Sequence, residues 1–378
     1  MALFESSAYS SLQVMVYTDA MGIGGAELSL GHLIANVSSD IAVTVVGVSP
    51  QVVDAIAAQR PCTERIVLPE TGFQSLVAHI ATFHRLKPEI VHFNLCTPWA
   101  CAIGLVAALS LPNSRVVRVD QLPLRTTDAI ELWRTRALSL RVDAHVAVGD
   151  ASARRMEDFY ALGRHTVLSV PNGVPEPSMH EIATTRQPDG TLLVGSVGRL
   201  DAMKAHDVLL RAIAQVEDVW VEILGEGEQR AALETLAVEL GIGDRVSLPG
   251  WIEQPRDRLP NYDLFVLPSR SEGFPLAIVE AMLAARPVIA TRVGSIAEAV
   301  IHGETGLLIE KSDVDGLAAA LRSLKDDPAL RDRLGQRGRD VAMAEFTASQ
   351  MAKRYEEIWQ KVLSIPRSPR LSIPRPRD

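Results

Sequence analysis

Hydrophobic and polar positions along this chain follow two periods in turn. LQVMVYT (12–18) and IAVTVVGV (41–48) are near-continuous, β-branched apolar runs, the pattern of parallel strands buried on both faces. AELSLGHLIANV (26–37), between them, spaces its apolar residues as a helix does. The succession continues with SLVAHIATFHRL, ACAIGLVAALS, AIELWRTRALSLR and ASARRMEDFYAL as helices. EIVHFN, RVVRVD, AHVAVG and TVLSVPNGV are the strands among them. The stretch VPEPSMHEIATTRQPDG (174–190) has no apolar period and is rich in proline and polar residues, which predicts a linker. Alternation then restarts at TLLVGSVGRL and runs through AHDVLLRAIAQV, VWVEILGEG, EQRAALETLAVELG, RVSLPGW, DLFVLPS, LAIVEAMLAA, ARPVIAT and GLLI. Helical patterns close the chain, the last being TASQMAKRYEEIWQKVL (347–363). Regular strand–helix alternation predicts the α/β class: two Rossmann-like, doubly wound parallel-sheet domains in series. Ligands of such sheets bind beyond the carboxyl ends of the strands, so two facing domains imply a central cleft.

Composition narrows this without changing it. The 378 residues are 47% hydrophobic and 22% charged, as in an ordinary soluble globular protein with room for two domains. A net charge of −8 argues against broad nucleic-acid binding. Cys62, Cys96 and Cys101 have neither zinc-type spacing nor a disulfide framework and read as packed thiols in a reducing compartment. The first residues, MALFESSAYSSLQV, lack a basic region followed by an apolar core, and the longest apolar run, WACAIGLVAAL, is 11 residues against the ~20 a membrane span needs. A cytoplasmic protein is expected. Six arginines stand against three acids between Arg115 and Arg141. A basic amphipathic helix there suits peripheral contact with anionic lipid at the inner membrane face, and a solvated helix face is the alternative. The tail SIPRSPRLSIPRPRD (364–378) reads as disordered.

Four loops at strand ends carry the candidate chemistry. Gly22-Ile23-Gly24-Gly25-Ala26-Glu27 opens a helix. Its glycines let backbone approach a ligand, although Gly-rich turns are common and this one is not a dinucleotide fingerprint. Arg199 and Lys204 lie five residues apart just after a buried strand, a pairing that suits an anionic ligand or else ordinary salt bridges. Gly225-Glu226-Gly227 reads as a turn. Glu272 and Glu280 flank the start of a helix that Pro275 is placed to open at its first position. At ~1.5 Å per residue, Glu280 lies roughly 7–8 Å along that helix. The free N–H groups of Leu276 and Ala277 stand between the carboxylates, and this suits a polyhydroxylated, phosphorylated ligand. Two solvated glutamates are the plainer reading of the same residues.

Taken in order and spacing, VGRLDAMKAHDVLLRAI, LGEGEQRAALETLAVELGIGDRVSLPGW and LPSRSEGFPLAIVEAMLAARPVIATRVGSIAEAVIHGETGLLI resemble the C-terminal domain of glycosyltransferase family 4. The resemblance is dense over residues 190–310 and thinner at GGAE and VPNGV. It implies a GT-B fold, with an acceptor domain over 1–175 joined by the helix 347–363, and a nucleotide-sugar domain over 176–346. It implies a retaining transferase that moves sugar from a nucleoside-diphosphate sugar to a glycan, lipid-linked or small-molecule acceptor, without a metal or other cofactor. Carried over by position, Arg199 and Lys204 grip the diphosphate, Glu280 holds the ribose and Glu272 contacts the donor sugar. The backbone of Gly273, Phe274, Pro275 and Leu276 lies beside sugar and phosphates. Gly25 faces the donor from the other domain, and Glu27 points toward the acceptor. Trp251 lies near the region where the base docks.

Many members of that family carry a histidine after the strand matching RVVRV, where this chain has Asp120 and Gln121. Asp120 is therefore the expected catalytic polar group beside the reacting sugar. His92, after EIV, is expected at a strand end facing the cleft as an acceptor contact, with a packed histidine as the alternative. A nucleotide-sugar epimerase or a sugar phosphorylase would share this fold, and so would an inactive partner protein that binds sugar nucleotide without turnover.

Overall fold

The computed structural model describes residues 11–177 and 191–366. The apolar runs become the strands of two parallel sheets. The first comprises β1 (Leu12–Thr18), α1 (Gly25–Asn36), β2 (Ile41–Gly47), α2 (Pro50–Ala57), β3 (Glu64–Val67), α3 (Phe73–Leu86), β4 (Ile90–Leu95), α4 (Ala102–Ala108), β5 (Arg115–Asp120), α5 (Ala129–Ser139), β6 (Ala144–Ala147), α6 (Asp150–Tyr160) and β7 (Val167–Ser169). The second comprises β8 (Leu192–Val197), α7 (His206–Ile213), β9 (Val219–Leu224), α8 (Arg230–Glu239), β10 (Val246–Gly250), β11 (Leu264–Leu267), α9 (Leu276–Leu283), β12 (Val288–Thr291), α10 (Ile296–Ala299) and β13 (Gly306–Ile309). The helices α11 (Val314–Asp326), α12 (Pro328–Glu345) and α13 (Ala348–Ser364) follow.

The first sheet has seven strands in the order β3-β2-β1-β4-β5-β6-β7, and the second has six in the order β10-β9-β8-β11-β12-β13. Chain order reverses between β1 and β4 in one sheet and between β8 and β11 in the other. These are the switch points at which loops diverge and leave a crevice. The register Val14↔Ile90 sets β4 beside β1, and Leu264↔Val194 sets β11 beside β8. The Gly-rich loop therefore leaves one switch point. The loops carrying Arg199 and Glu272 leave the other.

Three elements were not expected from the pattern. β3 is a mostly exposed edge strand, so it has no apolar run to announce it. α2 and α10 are only 8 and 4 residues long, too short for helical spacing to register. TVLSVPNGV is a strand only over Val167–Ser169; Val174 leaves the sheet and bridges to Thr347. Residues 178–190 of the expected linker and 367–378 of the proline–arginine tail lie outside the described residues.

α13 belongs physically to the first sheet. Met351, Ala352, Tyr355, Ile358, Trp359 and Val362 form one apolar stripe that joins the core of β1, β2 and β5. Thr347 caps it by accepting from the Gln350 amide at 3.2 Å. The two domains also touch directly. The Glu298 carboxylate, on α10, accepts the amides of Asp150 and Ala151 at 2.9 Å each, at the start of α6. Gly149 sits there at φ +155°, and a Cβ would come within 2.3 Å of Ser295 Oγ. Only glycine fits that approach.

Candidate functional site

A polar cluster of side chains lies at the β8–β11 switch point. After β8, Asp201 Oδ1 accepts the amides of Met203 and Lys204 at 3.0 Å each, folding the loop back on itself. Its other oxygen takes Arg199 Nη2 at 3.0 Å, while the Arg199 side chain stays 75% exposed. Ala205 then adopts a left-handed φ of +56° and turns the chain into α7. Lys204 runs back over Gly198, where a Cβ would stand 3.2 Å from its stem. Its ammonium reaches Glu272 Oε1 at 2.6 Å.

Glu272 is held from two sides. The same oxygen accepts from Ser269 Oγ at 2.7 Å, and the Ser269 carbonyl accepts from Thr291 Oγ1 at 2.5 Å. The carboxylate is thus fixed by groups from β8, β11 and β12. The side chains of Lys204 and Glu272 remain 20% and 11% exposed, so solvent reaches the pair.

Arg270 was missed by the sequence reading and locks the two loops together. It meets Asp207 through two hydrogen bonds of 3.0 and 2.8 Å and also donates to the Ala202 carbonyl at 2.7 Å. Burial pushes the Asp207 carboxyl up, but the Arg270 hydrogen bonds outweigh it and the group lies below its ordinary range. The sequence signal was an arginine between two serines, with nothing to name its partner 63 residues away. The GEG turn also has a definite role. A Cβ at Gly225 would lie 2.0 Å from the Gly198 carbonyl, and one at Gly227 would lie 2.3 Å from that of Leu200. These glycines let the β9 loop stack on the Arg199 loop.

Pro275 departs from its expected position. It is the N-cap of α9, extended at φ −74° and ψ 126°, with Leu276 as the first helical residue. The effect on the first turn is small, because the leading N–H groups of a helix lack intrahelical acceptors in either case. Phe274 buries its ring against Phe346, with centroids 5.1 Å apart, and its carbonyl accepts from Asn172. Gly273 lies against the other domain; a Cβ there would be 2.0 Å from the Gln121 carbonyl. Glu280 sits half-buried in the second turn of α9.

The residues expected on the first domain divide. Gly25 opens α1 with exposed backbone, and among the described residues nothing lies within 4 Å of where its Cβ would be. Glu27 is buried and bends back to accept the Gly24 amide at 2.9 Å. Burial raises its carboxyl above the ordinary range, against the pull of that amide. Glu27 braces the Gly-rich loop more than it reaches into the cleft.

Asp120 and His92 do not have the surroundings expected of them. Asp120 takes two hydrogen bonds from Arg118, at 2.7 and 3.0 Å, and the two side chains are 1% and 0% exposed. Two residues apart on one strand, they share a face, and that face is covered by the domain interior. Gln121, the next residue, is buried where the first domain meets Gly273 of the second. His92 is in the middle of β4, which runs on to Leu95, and not at its end. Its ring packs edge-on against Tyr355 and Trp359 of α13 at 5.0 and 5.8 Å. Burial lowers its pKa to about 3. It is a core histidine, and the acceptor contact expected of it does not hold.

Among the described residues, no three His, Cys, Asp or Glu cluster so as to hold a metal, and no helix is long and apolar enough to cross a membrane.

Comparison with known proteins matches this architecture. The profile of glycosyl transferases group 1 covers residues 180–341, the region of the Lys204–Glu272 cluster. The lipopolysaccharide core biosynthesis glycosyltransferase LpsE of Rhizobium meliloti is 32% identical over 166 residues, 44% of this chain and 49% of that protein. The chain thus spans about half the length of that relative. The lipopolysaccharide core biosynthesis mannosyltransferase LpcC of Rhizobium leguminosarum bv. viciae is 30% identical over 243 residues, 62% of this chain and 69% of that protein. Anabaena HepE, solved with UDP, superposes with a TM-score of 0.81 at 19% identity, covering 92% of this chain and 100% of that one. The fold of the two facing parallel sheets is therefore GT-B. With a family profile lying over the second sheet and its cluster, and a 30% identity that extends over 69% of a named relative, the chain belongs to the glycosyl transferases group 1 family.

Proposed function

We propose that this chain is a retaining, family 4 glycosyltransferase that transfers a sugar from a nucleoside-diphosphate sugar to a lipid-linked glycan. The observation that carries the reading is the Lys204–Glu272 pair, 2.6 Å apart at the β8–β11 switch point and still open to solvent. During transfer the bond between the sugar's anomeric carbon and the phosphate oxygen breaks, and charge moves onto the leaving diphosphate. Lys204 and the exposed Arg199 guanidinium are prepositioned cations for that charge, so no metal is needed to balance it. The N–H groups of Gly273, Phe274 and Leu276, leading into α9, are donors for the same anion, and Pro275, which has no N–H, sets the turn between them. Glu280 accepts from the ribose hydroxyls. Glu272 accepts from the donor sugar, held in place by Lys204 and Ser269. Gly25, with its Cα open, faces the donor from the acceptor domain, and Glu27 holds the Gly-rich loop on the acceptor side. The acceptor domain takes in residues 1–175 and the helix 347–363; the donor domain takes in 176–346.

Two relatives named for lipopolysaccharide core biosynthesis favour a lipid-linked acceptor. The surface of α5 supports it. Ile130, Trp133 and Leu140 are 76%, 72% and 82% exposed along one stripe, with exposed Arg134, Arg136 and Arg141 beside it. Such a face suits peripheral contact with an anionic membrane. Trp133→Ser should lower cosedimentation with vesicles containing anionic lipid and leave neutral vesicles unaffected; equal pelleting with both would remove the contact.

The test of the functional reading is a thermal-shift screen against UDP-, GDP- and ADP-sugars. A donor at 100 times its dissociation constant stabilises a fold by about 2.7 kcal/mol. If no such donor shifts the melting temperature, the reading fails. With a donor found, the anomeric configuration of the product by NMR tests retention.

A further inference from the structure

The loops on the two sides of the cleft are the ends of one buried chain of side-chain hydrogen bonds. Asn94, on β4, donates from Nδ2 to the carbonyl of Ala26 in the Gly-rich loop at 3.1 Å. Its Oδ1 accepts from Gln121 Nε2 at 2.8 Å. Gln121 Oε1 in turn accepts from Asn172 Nδ2 at 2.9 Å, and that nitrogen also donates to the Phe274 carbonyl at 3.1 Å. Ser29 of α1 closes the chain by donating to Asn172 Oδ1 at 2.7 Å. Ser29, Asn94, Gln121 and Asn172 are 3%, 1%, 9% and 5% exposed. At such burial each lost partner leaves a polar group without water to replace it.

Three features show that the chain couples the domains and is not packing within one of them. It ends on Phe274, two residues beyond Glu272, in the loop that carries the donor-side cluster. The backbones there are already in contact, since a Cβ at Gly273 would lie 2.0 Å from the Gln121 carbonyl. Asn172 lies where the chain has left the first sheet: it follows β7, and Val174, two residues on, pairs with Thr347 ahead of α13. The chain also has a direction. Asn172 Nδ2 donates both to the Phe274 carbonyl and to Gln121, and from there Gln121 and Asn94 each accept from behind and donate onward to Ala26, so neither Asn172 nor Gln121 can be replaced by a carboxylate without losing a donor.

We propose that Asn172 and Gln121 are positioning residues that set the Glu272 loop against the Gly-rich loop, and so align the donor sugar with the acceptor. They act through the carbonyls of Phe274 and Ala26 and touch neither substrate. The inference rests on the transferase reading above. It places the alignment of the two half-sites in an amide relay between the domains, apart from the groups that hold the diphosphate.

The experiment compares Asn172→Asp and Gln121→Glu, both close in shape to the native residues, with the unaltered chain, using the sugar nucleotide found in the thermal-shift screen. Donor affinity comes from calorimetry, and kcat and the ratio of transfer to donor hydrolysis come from product analysis. Each variant should keep donor affinity within about twofold and lose about 10- to 100-fold in kcat, the effect of one or two lost hydrogen bonds. Transfer should fall more than hydrolysis, because water needs no aligned acceptor. Asn172→Ala combined with Gln121→Ala should cost less in kcat than the sum of the two single changes, since both break one relay. Unchanged kcat, additive effects, or a parallel fall of donor affinity, transfer and hydrolysis would overturn the relay. An unaltered chain that binds none of the sugar nucleotides would instead overturn the functional reading, and the relay with it. In the first case the functional reading stands and only the relay is lost.

Discussion

Arg118–Asp120 and Lys204–Glu272 are both carboxylate–cation pairs near strand ends, and the sequence places both carboxylates, Asp120 and Glu272, beside the reacting sugar. The structure separates them. Arg118 and Asp120 lie two residues apart on β5, with side chains 0% and 1% exposed. Arg118 spends its remaining donors on Ser139 Oγ at 3.0 Å and the Pro98 carbonyl at 2.9 Å, and its guanidinium lies 5.4 Å from the Tyr160 ring centre. Every polar atom of that pair is committed inside the domain. Lys204 and Glu272 come from loops 68 residues apart and stay partly open, with Ser269 as a third partner. Such a pair can exchange a partner for a ligand without exposing a buried charge. Position near a strand end therefore does not identify a site group; whether the side chain faces the loops or the interior does.

The largest effect that sharpens the contrast is on stability. Asp120→Ala leaves Arg118 charged and buried, and breaking one side of such a pair costs about 3–5 kcal/mol. Urea unfolding should show that loss, while the enzyme that remains folded keeps its turnover. Normal stability with lost turnover would return Asp120 to catalysis and erase the distinction. Lys204→Ala should behave in the opposite way. It should remove about 2–5 kcal/mol from kcat/KM, by analogy with the loss of one partner of a hydrogen-bonded charge pair. Its stability loss should be smaller than that of Asp120→Ala, because Ser269 still donates to Glu272. Unchanged turnover in this variant would sink the diphosphate role of Lys204.

The same contrast explains what was legible beforehand. The second domain reads well from sequence because its loaded residues lie in loops, just beyond apolar runs that form strands within two or three residues of the expected ends. PSRSEGFP follows β11, and GRL follows β8, so the polar residues next in line fall at the crevice. The first domain reads less well because its polar residues lie inside strands. Asp120 is the last residue of β5 and still obeys the strand's alternation, which turns it inward with Arg118. Gln121, one residue on, is free of it and joins the interface. His92 departs from its expected place for a related reason: EIV suggests a strand ending near the histidine, but β4 runs on to Leu95 beneath α13, a helix from the far end of the chain. Arg270–Asp207 and the Asn172–Gln121 contact depend on partners that no local pattern names.

His92 gives the contrast its smallest and most specific test, because it can be read through acidity alone. Its folded pKa is near 3, lowered by burial, against an ordinary value of ~6.5 in an unfolded chain. The folded protein therefore keeps it neutral in a range where the unfolded chain takes up a proton. Stability from this group is full above ~6.5 and falls as the pH drops toward 3. At pH 5 the loss is about 2 kcal/mol on the linkage relation. His92→Phe keeps an aromatic edge against Tyr355 and Trp359 and removes Nδ1, which has no hydrogen-bond partner among the described residues. The variant should lose less stability than the unaltered chain between pH 7 and 5 in denaturant melts, by about that amount. His145 and His206, each lowered to about 4 by burial, will keep part of the slope in both proteins. An unchanged acid slope would mean that the histidine is not held neutral beneath α13. A loss of acceptor affinity with an intact slope would put it back at the cleft.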